Sequence, residues 1–419
     1  MTMTPARPLS CEPAVATRHV EPAEPAEPAE PAEPATPASA LAGGEDAPVP
    51  GAADEPAPGT RDAAWLRDQF ATTGGYLNAA TCGLPTRRTT EAMARDARRW
   101  TTGDVSPVGY HEHVERARAL YGRLVGVPAD RVATGSQTSV FTGMVAAGLP
   151  DGAEVVVVEG DFSSLVYPFL VQAERPHPTR EGGRITVRSV PRQELCTSLR
   201  EETAAVVYSH SQSACGSLTA PDAVRRAAEA VGALTVCDVT QSAGWQAVDA
   251  SLADVTVCSA YKWLCHPRGV AYMTVSERAM DALVPVNAGW YAGEVVWDSM
   301  YGPAMQLSSR ASRFDVSPGW PLWPGAVAAL EDFLQVPTGA VNAHDVALTN
   351  RLRAGLGLAP SDSAIVSLPM PPEAAQAAER AGLTLSQRAG GVRLSFHVWN
   401  TEQDVDRALE VLAPFAQRG

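Results

Sequence analysis

The sequence predicts an α/β fold with a mainly parallel sheet and a second, smaller α+β domain. Apolar runs of strand length alternate with segments of helical periodicity, and continuous apolar strands are typical of a sheet that helices cover on both faces. The helical pattern Pro221–Gly232 lies between two of these runs, and Pro221 suits a first helical turn. The runs are Glu154–Glu159, Ala204–His210, Leu234–Thr240, Asp254–Ala260 and Val270–Val275.

The chain has 419 residues, a length that corresponds to about two domains. Residues 1–61 form an acidic tail rich in Pro, Ala and Glu, which we expect to be disordered because it buries too little apolar surface to offset chain entropy. Residues 62–334 hold an N-terminal segment and the large domain, and residues 335–419 form the small domain. In the small domain a strand-like run, Gly391–Trp399, precedes a helix whose start at Thr401 fits a capping box.

Composition excludes several classes of protein. The formal net charge is −14 with no basic cluster, which argues against a nucleic-acid partner. An apolar stretch of about 18 residues, as a membrane span requires, is absent, and so is a secretory signal pattern. The seven cysteines form no CxxC pair, so we expect reduced thiols in a cytoplasmic protein rather than a disulfide framework or a zinc site.

Lys262 is the only lysine, so 32 of the 33 basic residues are arginine. A compositional bias toward arginine explains that number but not the position of the one lysine, directly after the apolar run Asp254–Ala260. An amine at the carboxyl end of a strand forms a Schiff base with an aldehyde cofactor, and arginine cannot replace it because guanidinium keeps its proton. The alternative is a solvated surface charge.

Three further features each have a structural and a functional interpretation. Asp238 ends an apolar run, where it caps a helix or faces a pyridinium nitrogen. The turn Thr134–Ser139 precedes the helical pattern Val140–Leu149, where it caps that helix or binds phosphate. Arg393, the one charge in a strand-like run, reaches solvent or binds a carboxylate. An amine, a ring-nitrogen partner, a phosphate cradle and a carboxylate clamp are together what pyridoxal phosphate (PLP) requires.

Two alternatives to a PLP site are an SxxK catalytic motif and a metal site. Ser259 and Lys262 match the SxxK motif of penicillin-binding proteins and β-lactamases, but those proteins need a second lysine in a KTG motif, and this chain has none. His266 and His397 could ligate a metal ion, but no paired spacing supports it. We therefore reject the SxxK interpretation and predict no metal site.

These residues resemble the class V aminotransferase-like family of PLP enzymes with fold type I. The family includes cysteine desulfurases, kynureninases, isopenicillin N epimerases and the C–S lyase of ergothioneine synthesis. The resemblance covers about residues 75–415. It rests on the segments Tyr76–Thr81, Thr134–Ser139, Glu159–Pro168, His210–Gly216, Asp238–Ser242, Ser259–Leu264, Arg313–Pro318 and Arg393–Thr401.

The resemblance implies a role for each matching residue. Lys262 holds PLP as the internal aldimine, and Asp238 pairs with the ring nitrogen. The implied contacts to the cofactor come from Ser136, Gln137, Thr138 and Ser259 at the phosphate, Phe162 on the ring face, Gln241 at the phenolic oxygen, and Ser213 and Tyr261. Ser317 reaches the phosphate of a partner subunit, which implies a homodimer. The implied substrate contacts come from Asn78, Ala80 and Arg393.

Four of these positions depart from the family pattern. Phe162 stands where many relatives have His, and an aromatic face still stacks on a pyridine ring. Ser213 stands where Asn is usual. Tyr261 replaces the common His, as it does in kynureninases, and Ser317 lies in a Ser-Pro pair where Gly-Thr is usual.

The reaction type is left open by these motifs. We expect an aminotransferase-type reaction on an amino acid, in which freed Lys262 is the general base at Cα. A β-eliminating C–S lyase and an amino-acid epimerase are alternatives that start from the same carbanion. A persulfide-forming cysteine desulfurase is disfavoured because the last cysteine, Cys265, is only three residues past Lys262. A non-catalytic PLP-fold binder is disfavoured because the sole lysine is kept.

Overall fold

A seven-stranded mixed sheet forms the centre of the computed structural model, which describes residues 59–72, 74–176, 182–388 and 390–416. The strand order is β1-β7-β6-β5-β4-β2-β3, and β7 runs antiparallel to both of its neighbours while the other pairs are parallel. The strands are β1 Val132–Gly135, β2 Glu154–Val158, β3 Thr186–Val190, β4 Thr203–Ser209, β5 Leu234–Asp238, β6 Val255–Ser259 and β7 Ala271–Val275. The predicted α/β class with a mainly parallel sheet is confirmed.

The sheet is covered by helices on both faces. Alternate residues of β2 point to opposite sides, so that Val155 and Val157 pack in one apolar cluster and Val156 and Val158 in another. All four are buried, which is why the strand is a continuous apolar run. The helices are α1 Ala63–Arg67, α2 Arg87–Thr101, α3 Pro107–Val125, α4 Thr138–Gly148, α5 Ser163–Glu174, α6 Pro221–Val231, α7 Glu277–Ala282, α8 Trp323–Phe333, α9 Thr338–Gly355, α10 Pro372–Arg380 and α11 Glu402–Ala416.

A second sheet of three antiparallel strands follows later in the chain, in the order β8-β10-β9. Its strands are β8 Ile365–Leu368, β9 Ser386–Arg388 and β10 Gly391–Ser395. The segment near residue 77 also pairs here, because Tyr76 bridges to Thr384 and Asn78 bridges to Ser395. The N-terminal segment therefore reaches the strand that carries Arg393.

The predicted boundaries hold to within a few residues for most elements. The helix predicted over Pro221–Gly232 spans Pro221–Val231 and ends where Gly232 takes a left-handed φ of 77°. The strand predicted over Gly391–Trp399 stops earlier, at Ser395. The division into domains at residue 335 stays a prediction, and the predicted tail lies outside the described residues except for residues 59–61.

The capping box predicted at Thr401 is half formed. The Thr401 amide donates to the Asp404 carboxylate at 2.9 Å, as the motif requires. The other oxygen of Asp404 accepts from the Gly75 amide at 2.6 Å. Asp404 therefore also ties the N-terminal segment to α11.

Candidate active site

Lys262 and Asp238 lie at the same edge of the large sheet. Asp238 is the last residue of β5, Ser259 is the last residue of the parallel strand β6, and Lys262 follows three residues later. Ligands of open α/β sheets bind at this carboxyl edge. Both side chains line a cavity of about 330 Å³, a volume typical of small-ligand sites.

The amine of Lys262 is almost completely buried, with 5% of the residue exposed. Its Nζ lies 5.0 Å from the centroid of the Phe162 ring and 5.8 Å from that of Tyr261. Burial lowers the pKa of Lys262 to about 8; Asp238 opposes this shift and Arg393 adds to it. About a tenth of the amine is therefore unprotonated at pH 7, far more than at the ordinary pKa of 10.5, and it is this form that acts as a nucleophile or a general base.

Asp238 is fixed by Thr240, a residue that was not predicted. The Thr240 amide donates to Oδ1 of Asp238 at 2.8 Å, and its hydroxyl oxygen accepts from the Ser259 amide at 2.9 Å. Burial raises the pKa of Asp238 to about 6, against the hydrogen bonds from Thr240 and the charge of Lys262. A cation beside this carboxyl group would lower that pKa and keep it ionised.

The predicted phosphate turn opens into the same cavity. Ser136 and Gln137 are exposed there, and α4 begins at Thr138 without a side-chain cap from Gln137. Oγ of Ser259 accepts from the Thr138 amide at 3.0 Å and lies 2.9 Å from the Thr138 hydroxyl. A helix N-terminus whose N-cap side chain makes no capping bond, with hydroxyls around it, is suited to bind an anion.

Phe162 is held at the cavity by the residue before it. Asp161 accepts hydrogen bonds from the amides of Phe162 at 2.7 Å and of Ser209 at 2.9 Å, and from the side chain of Gln212 at 3.1 Å. These contacts anchor the start of α5 to the end of β4. The ring of Phe162 therefore remains beside Lys262 although 41% of the residue is exposed.

Arg393 is a buried cation with uncharged partners. It is 1% exposed, and its guanidinium donates to Oγ of Thr81 at 2.8 Å, of Ser386 at 3.2 Å and of Ser213 at 3.2 Å, and to the carbonyl of Ser213. Burial, with help from Arg388, lowers the pKa of Arg393 to about 10. Within the described residues no carboxylate pairs with it, so it is suited to bind one from a ligand.

Gln241 lies behind the cavity rather than in its lining. Its amide nitrogen donates to the Ala80 carbonyl at 2.9 Å and to Oγ of Ser213 at 3.0 Å, and its oxygen accepts from the Trp263 indole at 2.8 Å. Oδ1 of Asn78 is buried and has no hydrogen-bond partner in the described part of the chain. The contact of Gln241 with the phenolic oxygen stays a prediction, as do the substrate contacts of Asn78 and Ala80.

Ser317 is exposed and does not line the cavity of its own chain. Its contact with a partner subunit's phosphate stays a prediction. Two positions earlier, Asp315 is buried, forms an ion pair of 2.6 Å with Arg118 and accepts from the Thr134 amide at 2.7 Å. This pair holds the start of the phosphate turn, and it was not predicted.

Arg268 and Cys82 were also missed. Arg268 lines the cavity, and its guanidinium carbon lies 5.0 Å from the centroid of the Tyr261 ring. Burial raises the pKa of the exposed Cys82 thiol, while Arg268 and Lys262 act to lower it. Both residues therefore lie near Lys262. Arg268 lies in the run Pro267–Val270, which resembles the ergothioneine lyases, but it was not assigned a role, and no local motif marks Cys82.

A larger cavity of about 450 Å³ lies at the opposite, amino edge of the sheet. Its arginines pair with carboxylates: Arg131 with Glu277 at 2.7 Å and Arg225 with Glu229 at 2.7 Å. Among the described residues that line it there is no amine, and the helix N-terminus that lines it, that of α7, is capped by the Ser276 hydroxyl. The amine and the open helix N-terminus are therefore found together at the carboxyl edge.

The donor set of the first cavity fits PLP. The aldehyde of PLP requires an amine, its ring nitrogen requires a carboxylate, and its phosphate requires hydroxyls at a helix N-terminus. Lys262, Asp238 and the Ser136–Thr138 turn provide these groups within one cavity. The fold and the site together define a PLP-dependent enzyme of fold type I.

Comparison with known proteins gives the family. The family model for class V aminotransferases matches residues 108–376, and the chain belongs to that family. A kynureninase from Deinococcus radiodurans is 29% identical over 293 residues, which cover 66% of this chain and 69% of the relative. An isopenicillin N epimerase from Streptomyces clavuligerus is 23% identical over 341 residues, covering 71% of this chain and 83% of the relative.

Solved structures show the same fold. The cystine C–S lyase C-DES in complex with cysteine persulfide superposes with a TM-score of 0.74 at 18% identity, over 83% of this chain and 98% of that one. The cysteine desulfurase CsdA from Escherichia coli superposes with a TM-score of 0.72 at 19% identity, over 85% of this chain and 98% of that one. The predicted family, enzyme class and cofactor are therefore confirmed, while the role of each site residue stays a prediction. None of the described helices is long and apolar enough to cross a membrane.

Proposed function

We propose that this chain catalyses an aminotransferase-type reaction on an amino acid, with Lys262 as the residue that moves the Cα proton. The observation that carries the proposal is the buried amine of Lys262, with a pKa lowered to about 8, in one cavity with Asp238 and the N-terminus of α4. Bound PLP supplies a carbonyl that bonds the substrate nitrogen and a ring that takes up the electron pair released at Cα.

The side chains divide the remaining tasks among them. Arg393 binds the substrate α-carboxylate, for which its buried, unpaired charge is suited. That contact orients the substrate and so selects which Cα bond is broken. Lys262 accepts the proton from Cα and would return it to the carbon that came from the PLP aldehyde, while Asp238 would hold a proton on the ring nitrogen. Phe162 excludes water from one side of the amine.

The test of Lys262 uses visible absorbance. Wild-type protein with PLP should absorb in the visible range, and Lys262→Ala should lose this band. Lys262→Arg should keep the circular dichroism spectrum of the wild type and lose catalysis, because guanidinium does not give up its proton. A colourless wild-type protein in the presence of PLP would refute the role of Lys262.

The reaction type is tested by product analysis. Accumulation of pyridoxamine phosphate, together with the keto acid of the amino acid supplied, supports an aminotransferase. Pyruvate from cysteine conjugates or sulfoxides without pyridoxamine phosphate supports a C–S lyase, the second candidate, which the structural similarity to a cystine C–S lyase favours. Exchange of the Cα proton with solvent deuterium and racemisation, without either product, supports an epimerase.

We also propose a homodimer with shared active sites. Ser317 is exposed, and the segment before it, residues 284–305, exposes several large apolar side chains. Tyr301 is 86% exposed and Met305 is 75% exposed. Exposed apolar patches of this kind are typical of protein interfaces. Light scattering tests the proposal, and a fully active monomer contradicts it.

A further inference from the structure

A buried histidine and a buried aspartate stand behind the active-site lysine. His397 and Asp345 are both 0% exposed, and Nδ1 of His397 lies 3.0 Å from Oδ2 of Asp345. Nε2 of His397 lies 2.9 Å from the main-chain carbonyl oxygen of Trp263, the residue directly after Lys262. The imidazole thus joins α9, which carries Asp345, to the backbone at Lys262.

The position of one proton in this chain of contacts follows from chemistry. A carbonyl oxygen only accepts, so Nε2 of His397 must carry the hydrogen that it shares with Trp263. A second proton lies between Nδ1 and the Asp345 carboxyl group. Burial raises the pKa of Asp345, against the effect of His397. On whichever of the two atoms that proton resides, the hydrogen bond to Trp263 remains.

The turn that this hydrogen bond holds is strained. Cys265 has a φ of 57°, in the left-handed region that residues with a side chain rarely adopt, and its amide donates to the Lys262 carbonyl at 3.1 Å. Such a conformation persists only where its surroundings enforce it. The bond from His397 to Trp263 supplies part of that constraint, and the bond from the Trp263 indole to Gln241 supplies another.

His397 also lies four residues beyond Arg393 on the chain that leaves β10. One short segment therefore bears the guanidinium suited to a substrate carboxylate and the imidazole that holds the lysine backbone. We propose that His397, supported by Asp345, is a positioning residue that fixes the Lys262 amine relative to Arg393. The proposal rests on the proposed roles of Lys262 and Arg393, and it goes beyond them by assigning what sets their separation.

Two substitutions of His397 distinguish its contact with Trp263 from its contact with Asp345. In His397→Gln the amide nitrogen can take the place of Nε2 and keep the hydrogen bond to Trp263. In His397→Asn the shorter amide can take the place of Nδ1 and keep the contact with Asp345, but it cannot reach Trp263. Both variants stay polar, so their thermal stabilities are compared first, and Asp345→Asn serves as a control because its amide can donate to Nδ1 and leave Nε2–H in place.

The first readout needs neither cofactor nor turnover. Because Lys262 is the only lysine, reductive methylation of the cofactor-free protein, followed by peptide mapping, reports on this amine alone. In wild type and His397→Gln the rate should be half-maximal near pH 8, as the pKa of Lys262 indicates. In His397→Asn the midpoint should rise toward 10.5, because a displaced amine meets water.

The second readout is steady-state kinetics with cofactor bound. His397→Asn should lower kcat by about 100-fold with KM within a few-fold, since misplacing a reacting group by about 1 Å costs about that factor. His397→Gln and Asp345→Asn should stay within a few-fold of the wild type. Equal behaviour of His397→Gln and His397→Asn in both readouts overturns the proposal, and so does a 100-fold loss in a stable Asp345→Asn.

A second variant keeps the proposal testable if His397→Asn misfolds. If His397→Asn does not fold, the double variant Asp345→Asn/His397→Phe replaces it, because Phe packs in the aromatic surroundings of His397 and the neutral Asn leaves no buried charge. It should show the same raised midpoint and lowered kcat, and wild-type values contradict the proposal. Retention of the visible band in Lys262→Ala would refute the proposed function. The methylation midpoints would still test whether the hydrogen bond from His397 to Trp263 positions the Lys262 amine.

Discussion

The active-site lysine should destabilise the cofactor-free protein, and Lys262→Met should relieve that cost. An unfolded chain exposes the amine to water with an ordinary pKa of 10.5, whereas the folded chain lowers the pKa to about 8. Between these values the unfolded state binds the proton and the folded state does not. The free energy of unfolding of the wild type therefore rises as the pH rises through this window, and the cost is complete below about pH 8.

The magnitude follows from the same two values. Each pKa unit corresponds to about 1.4 kcal/mol, so the full cost of the charged amine is about 3 kcal/mol at pH 7. At pH 10 the amine is neutral in the folded state but still about three-quarters protonated in the unfolded state, and the cost falls to about 1 kcal/mol. Methionine has a similar length and carries no charge, so Lys262→Met should gain about 3 kcal/mol at pH 7 and about 1 kcal/mol at pH 10.

Urea unfolding of both cofactor-free proteins, at one protein concentration and at pH 7 and pH 10, measures these gains. Comparison of variant with wild type at each pH cancels the titration of groups elsewhere in the chain. Lys262→Arg is the control, because it keeps the charge at both pH values and should gain nothing. A Lys262→Met protein no more stable than the wild type at pH 7 would mean that the amine is not held in a dry environment.

Three further substitutions test the surroundings of the lysine. Arg393→Gln should raise KM for amino acids by about 10- to 100-fold, since a charge-assisted hydrogen bond is worth about 1.5–3 kcal/mol, and should leave the binding of amines without a carboxylate unchanged in a spectral titration. Arg118→Met should lower the free energy of unfolding by about 3–5 kcal/mol because it leaves Asp315 buried and unpaired, and Arg118→Met/Asp315→Asn should recover most of it in urea unfolding. Cys82→Ser should keep turnover within a few-fold of the wild-type value. If the wild type releases sulfane sulfur from cysteine and Cys82→Ser does not, a persulfide mechanism is reinstated.

The central strands could be predicted because both of their faces are buried, which makes each one a continuous apolar run. Strand β3 was missed because it lies at the edge of the sheet and includes Arg188, whose guanidinium pairs with Glu154 at 2.9 Å. Strand β1 was missed because Thr134 and Gly135 were assigned to a turn. Gly135 is in fact a strand residue, and a Cβ there would lie 2.7 Å from the Phe141 ring. A glycine is needed at position 135 so that the Phe141 ring can pack closely against the strand, and only the folded chain shows this requirement.

The site residues differ in the same way: the local sequence predicts the position of some, and contacts between distant segments determine the position of others. Asp238 ends a predicted strand and Lys262 lies just after another, so that the local pattern of the sequence predicts their position at one edge of the sheet. The phosphate turn could be predicted from its Gly, Ser and Thr residues before a helical pattern, although the strand before it was missed. The partners of Arg393 are different, because Thr81 is 312 residues away in the sequence and Ser213 is 180 residues away. No periodicity or motif links such positions.

The reaction type belongs to this long-range part of the site. All three candidate reactions need the same amine and the same ring partner, so Lys262 and Asp238 do not distinguish among them. The choice depends on what surrounds the substrate beyond Cα. Arg268 lines the cavity and Cys82 lies near Lys262, and the two residues come from segments far apart in the sequence. Substitution of these two residues, with pyruvate and pyridoxamine phosphate measured side by side, is therefore the direct way to learn which bond the enzyme breaks after the Cα proton has left.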